Sequence, residues 1–71
     1  MSLPALVKKT RKERGMTLQE LATFTGTSKS YIWELEHGRV PNPGLRNCAG
    51  ISAALDLPLG IMAAALLKDT E

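Results

Sequence analysis

The stretch Thr17-Leu-Gln-Glu-Leu-Ala-Thr-Phe-Thr-Gly-Thr-Ser-Lys-Ser-Tyr-Ile-Trp-Glu-Leu-Glu-His-Gly38 decides the fold. Thr17 followed three residues later by Glu20 is a capping signal that opens a helix. Leu18, Leu21, Ala22 and Thr25 then share one helical face at i, i+3, i+4 and i+7. Gly26 supplies a tight turn, because glycine enters the positive-φ region at little cost. Ser28 is placed to cap a second helix. Ile32 and Leu35 face inward on that helix, and Gly38 stops it. The stretch therefore encodes two short helices joined by a turn of a few residues.

Such a pair matches the helix-turn-helix unit, whose second helix lies in the major groove of DNA. The run from Leu6 to about Ile61 resembles the Cro/repressor-type helix-turn-helix domain, the XRE family. The resemblance rests on Arg11, Gly15-Met16-Thr17, Leu21-Ala22, Gly26, Ser28, Ile32, Leu35-Glu36 and Gly38. Pro43, Leu45, Cys48, Ile51 and Ala54-Leu55 continue it downstream. The chain departs from the family pattern at three positions. Leu18 stands where many members have a phosphate-contacting glutamine, Ser52 replaces a usual alanine, and His37 replaces a common asparagine or arginine.

Outward from this unit, 71 residues make one domain, with a core of about 4–67 and a helix-turn-helix of about 17–38. A chain so short buries only about 60% of its unfolded surface. Phe24, Tyr31 and Trp33 are its only aromatic residues, so the core must be aliphatic and alanine-rich, as closely packed helices allow. Strand signals are absent, for no β-branched alternation is sustained. The fold expected is all-α, a five-helix lambda-repressor-like domain.

The first helix is predicted from Leu3 or Pro4 to Arg14, with Leu3, Leu6, Val7 and Thr10 inside and Gly15 as its stop. Met1-Ser2-Leu3 resembles an expression leader and is given no structural weight. The second helix spans about Leu18–Thr25 and the third about Lys29–His37. The fourth spans Leu45–Leu55, begins after an Asn42 cap, and buries Leu45, Cys48, Ile51 and Leu55. Ala49 and Gly50 permit close approach by a neighbour. The fifth starts near Pro58 under an Asp56 cap and runs to about Leu67.

The formal charge is only +2, but its distribution is uneven. Lys8, Lys9, Arg11, Lys12 and Arg14 crowd the first helix, while Lys29, Arg39 and Arg46 lie in and after the third. Lys29, Ser30 and Glu34 form the exposed face of the third helix. Lysine donates to guanine O6 and N7, serine serves almost any base, and glutamate accepts from cytosine N4. The family resemblance puts base-reading side chains at these positions. Candidates for the DNA backbone are Thr17, Leu18 and Gln19 at the start of the second helix, where first-turn amides and the helix dipole favour an anion. Ser28, Tyr31, Arg39, Asn42 and Arg46 join them. Ser28 and Thr17 serve equally as caps, and the Tyr31 hydroxyl is expected near solvent or a phosphate. Trp33 either covers the loop after the third helix or meets a partner, and Phe24 falls off the inner face of the second.

Arg11 and Glu36 resemble the family's structural ion pair between the first and third helices. His37 is read as a helix-end residue favoured by the dipole. With Cys48 it lacks any second pair at ligand spacing, so no metal is expected. Nucleophile–base pairs, phosphate loops and paired catalytic carboxylates are missing, so neither an enzyme nor a cofactor is expected. One cysteine, no signal peptide and no apolar run of about 18 residues set a cytoplasmic expectation without a membrane. In the fifth helix, Leu59, Met62 and Leu66 are expected to close the core. Ile61, Ala64, Ala65 and Leu67 are expected to be exposed as a dimer interface. The resulting expectation is a homodimeric transcriptional regulator, most simply a repressor, that binds double-stranded DNA at a palindromic operator. The competing reading is a protein-interaction module, an antitoxin or adaptor, with a regulatory protein partner.

Overall fold

A computed structural model of the chain describes residues 1–69. They form five helices, α1 (Leu3–Glu13), α2 (Leu18–Thr25), α3 (Lys29–Glu36), α4 (Leu45–Leu55) and α5 (Leu59–Asp69). The fold is all-α. Helix α2 packs on α3 and α4, α1 packs on α3, α4 and α5, and α5 also meets α4. Leu3, Val7, Leu21, Ala22, Ile32, Leu35, Ile51, Leu55 and Met62 lie at the centre, each no more than 2% exposed. These are the i, i+3 and i+4 positions that give each short helix one apolar stripe. The core is aliphatic, as the composition requires.

Local signals set the first three helix starts. The Ser2 hydroxyl accepts from the Ala5 amide at 3.3 Å. At α2 the Glu20 amide donates to Thr17 Oγ1 at 3.0 Å, and the Thr17 amide donates to Glu20 Oε1 at 2.9 Å, a complete capping box. The Ser28 hydroxyl accepts from the Tyr31 amide at 3.0 Å. Ser2 and Leu3 carry structural weight, since Ser2 caps α1 and Leu3 is 2% exposed.

Helices α1 to α4 stop in one way. Gly15, Gly26, Gly38 and Asp56 take positive φ of 69°, 70°, 72° and 51°. In each case the next amide donates back five residues: Met16 to Arg11 O, Thr27 to Ala22 O, Arg39 to Glu34 O and Leu57 to Ser52 O. This is the Schellman arrangement, which satisfies carbonyls that the helix end would leave unpaired.

Several expectations are corrected. Asp56 terminates α4 instead of capping α5, because its short polar side chain tolerates the left-handed conformation. Asn42 does not cap α4: Gly44 holds that position, with no side-chain bond to the helix. Leu45 is 76% exposed, since it lies on the first turn of α4 beyond the edge of the core; Pro43 is buried in its place. Leu59 is 42% exposed, on the first turn of α5. Ala65 joins the core at 8% exposure and leaves the outward face of α5 to Ile61, Ala64 and Leu67. No helix among the described residues is long and apolar enough to cross a membrane.

Candidate nucleic-acid interface

The α2–α3 pair is fixed from behind by a salt bridge. Arg11 Nε donates to Glu36 Oε2 at 2.6 Å and Arg11 Nη2 to Glu36 Oε1 at 3.0 Å. Arg11 Nη1 donates to the Met16 carbonyl at 2.8 Å, just before α2 begins. One guanidinium therefore ties α1, the entry to α2 and the end of α3 together. The bidentate carboxylate raises the Arg11 pKa, chiefly through these hydrogen bonds, against an opposing effect of burial. This is the pairing that the sequence resemblance implied. It takes Arg11 out of the basic cluster on α1. Arg14 is also engaged internally, donating from Nε to the Leu55 carbonyl at 3.0 Å. Lys8, Lys9 and Lys12 remain exposed.

With its inner side anchored, α3 presents the opposite side to solvent. Lys29, Ser30, Trp33 and Glu34 are all exposed and together line one shallow depression. Their spacing of i, i+1, i+4 and i+5 puts them on a single helical face. The structure thus brings together the three expected base-reading residues and adds Trp33. The Trp33 indole is not loose. The His37 ring stacks on it with centroids 3.7 Å apart and planes 17° from parallel. The Arg39 guanidinium carbon lies 5.2 Å from the indole centroid, within cation–π range. His37 Nδ1 is 2.7 Å from the Trp33 carbonyl oxygen, closing the end of α3. The i, i+4 spacing of Trp33 and His37, with a cation two residues later, was the available sequence signal for this cluster.

At the start of α2, the Thr17 hydroxyl accepts the Glu20 amide, and the Thr17 amide is taken by the Glu20 carboxylate. Leu18 is half-buried against the core, whereas Gln19 is exposed and donates from Nε2 to Thr23 Oγ1 at 3.2 Å. The first amides of a helix have no acceptor within it, so the main chain at Leu18 and Gln19 offers donors that the Leu18 side chain cannot. Ser28 is exposed and carries the α3 cap, and its hydroxyl proton is still available to an acceptor. Asn42 and Arg46 are exposed, the former on the loop after α3 and the latter on α4.

Tyr31 departs from expectation. Its ring is half-buried against the core, and its hydroxyl oxygen is buried without a hydrogen-bond partner among the described residues, so it does not face solvent. Phe24 is 66% exposed on α2, beside Gln19, Glu20 and Thr23.

Comparisons with known proteins agree with this fold. Residues 7–62 match the family model described as helix-turn-helix. The chain is 39% identical over 51 residues to the HTH-type transcriptional regulator SinR of Bacillus subtilis (strain 168), covering 72% of this chain and 46% of SinR. It is 33% identical over 54 residues to the HTH-type transcriptional regulator SlrR of the same organism, covering 76% of this chain and 36% of SlrR. The chain thus spans less than half the length of these relatives. Among solved structures, the clp gene regulator ClgR from Corynebacterium glutamicum superposes with a TM-score of 0.81 at 28% identity, over 94% of this chain and 70% of that one. The matched span holds the capped α2, the Gly26 turn, α3 and the Arg11–Glu36 brace, and on these grounds the chain belongs to the Cro/repressor-type (XRE) helix-turn-helix family.

Proposed function

We propose that the chain is a sequence-specific reader of double-stranded DNA and acts as a transcriptional regulator, most simply a repressor that blocks polymerase. The observation that carries this reading is the uncovered face of α3, where Lys29, Ser30 and Glu34 stand exposed on a helix braced from behind. In the major groove Lys29 and Ser30 meet base edges from the N-terminal end of the helix, and Glu34 accepts from a cytosine amino group. Arg39, Asn42 and Arg46 contact phosphates, together with Ser28, the Gln19 side chain and the main-chain amides of Leu18 and Gln19. Such contacts set register and affinity rather than sequence choice.

A homodimer completes the proposal. Ile61 and Leu67 are 50% and 67% exposed on α5, and Ala64 lies between them in sequence. Ile61, Ala64 and the edge of Ala65 line a depression with Met1 and Leu6. A two-fold axis through this apolar face matches the patch to itself. On a palindromic operator the two α3 helices would lie about 34 Å apart, one turn of DNA.

Selection of bound duplexes from a random library, followed by titration of the winner at two salt concentrations, tests the reading. A palindrome with steep salt dependence is expected. Absence of enrichment favours the second reading, an interaction module of the antitoxin or adaptor kind. That reading draws on the exposure of Phe24 (66%) and Trp33 (39%) and on the internal engagement of Arg11 and Arg14.

A further inference from the structure

We infer that Trp33 supplies the apolar part of the base-reading face and selects a thymine through its 5-methyl group. The inference rests on the DNA reading above and deepens it by naming a base class. Trp33 lines one shallow depression with Lys29, Ser30 and Glu34, so the indole borders the space that those side chains face. Lysine, serine and glutamate satisfy donors and acceptors on base edges. The indole rim adds an apolar surface, and Trp33 as a residue is 39% exposed. In the major groove, the thymine C5-methyl is the one methyl group on a base edge, and it is the natural counterpart to that surface.

The ring is also held in place before any ligand arrives. His37 stacks on it at 3.7 Å, and Arg39 lies 5.2 Å from its centroid. An indole fixed at two points loses little rotamer freedom on binding, so its contact is retained in the affinity instead of being spent on ordering. Arg39 then has two partners, the indole beneath it and a phosphate beyond it. The backbone contact and the methyl contact are thereby set in a fixed relation.

The test uses the duplex enriched by selection, with each thymine replaced singly by deoxyuridine, which pairs identically but lacks the methyl. Binding is followed by fluorescence anisotropy at fixed salt for the wild type and for Trp33→Ala. One thymine per half-site is expected at which the wild type weakens about fourfold per methyl removed. Trp33→Ala should bind more weakly overall and be indifferent to the methyl at that position. Circular dichroism checks its folding; if the alanine variant does not fold, Trp33→Gln, which keeps a helix-forming side chain without the ring, replaces it. An undiminished uracil penalty in the variant overturns the assignment. So does a wild type that binds the duplex but ignores every thymine methyl, and Trp33 would then be a surface for a protein partner. In both cases the DNA reading stands. A wild type that binds no duplex at low salt overturns the DNA reading and this inference with it.

Discussion

Replacing Glu36 with alanine leaves the Arg11 guanidinium facing an empty site. The two side chains are 10% and 1% exposed, and two hydrogen bonds of 2.6 Å and 3.0 Å join them. Arginine cannot shed its proton to escape burial, so the charge remains. Removing one partner from a buried pair costs about 3–5 kcal/mol. Arg11 keeps its bond to the Met16 carbonyl and its side chain is 10% exposed, which places the expected loss at about 3 kcal/mol, the lower end of that range. For a domain of this size, 1 kcal/mol moves Tm by about 7 °C, so Glu36→Ala should melt about 20 °C below the wild type. The total stability expected for 71 residues is only about 4–10 kcal/mol; the substitution removes a large fraction of it. Thermal and urea unfolding followed by circular dichroism measure the loss, with duplex binding assayed well below the variant's Tm. The double variant Arg11→Met with Glu36→Leu removes both charges and should melt near the wild type, because the cost lies in the stranded charge. Wild-type melting with lost DNA binding in Glu36→Ala would place Glu36 in the interface and refute this reasoning. A double variant as unstable as the single one would refute the stranded-charge account.

Further predictions concern binding, pH and backbone. Lys29→Ala should relax base preference at one position, whereas Arg39→Ala should weaken binding to all sequences and lower the salt slope by about one unit; titrations of matched and mismatched duplexes at several salt concentrations distinguish the two. The Glu20 carboxyl is held below its ordinary pKa, chiefly by the Thr17 amide and then by the Thr17 hydroxyl. A depressed carboxylate contributes stability above its unfolded pKa and loses it as pH falls through the folded one. Below about pH 4 the wild type should therefore lose Tm faster than Glu20→Gln, and equal acid limbs in a melting series would contradict this. Gly26→Ala should cost about 1–2 kcal/mol, because φ of 70° is strained for any side chain although nothing lies within 4 Å of the added carbon. Gly50→Ala should gain about 0.5–1 kcal/mol, since α4 is helical there and the new methyl meets Thr25 at an ordinary 3.6 Å; urea midpoints check both.

The sequence was most legible where structure is set by neighbours in the chain. Thr17 with Glu20, Gly26 and Ser28 act through bonds spanning three to five residues, so the two helices and their turn could be read from them. The Arg11–Glu36 pair, 25 residues apart, came only from family resemblance, because no local rule predicts it. Where spacing alone was used, it failed at helix ends. Leu45 and Leu59 continue apolar stripes but lie on first turns that overhang the core, and periodicity carries no information about where a neighbouring helix stops. Ala65 was misplaced because α5 is apolar on most sides, which leaves its inward phase undefined. The face of α3 was read correctly as exposed at Lys29, Ser30 and Glu34, and the addition of Trp33 needed the stack with His37 to be seen.

The shared way in which α1 to α4 stop bears on how the chain reaches its fold. Each stop is closed by an amide five residues from its acceptor, so the chain reversals after these helices belong to short loops. Loops of that length close in about 10–100 ns, far faster than a domain assembles. The turns thus restrict the search before distant helices meet, and folding in microseconds to milliseconds is expected of such a local topology. The Arg11–Glu36 brace joins segments 25 residues apart and can form only once α1 and α3 have docked. Contacts that form after the transition state act on the unfolding rate alone. Gly26→Ala should therefore slow refolding, whereas Glu36→Ala should mainly speed unfolding, and stopped-flow measurements of both limbs check the division.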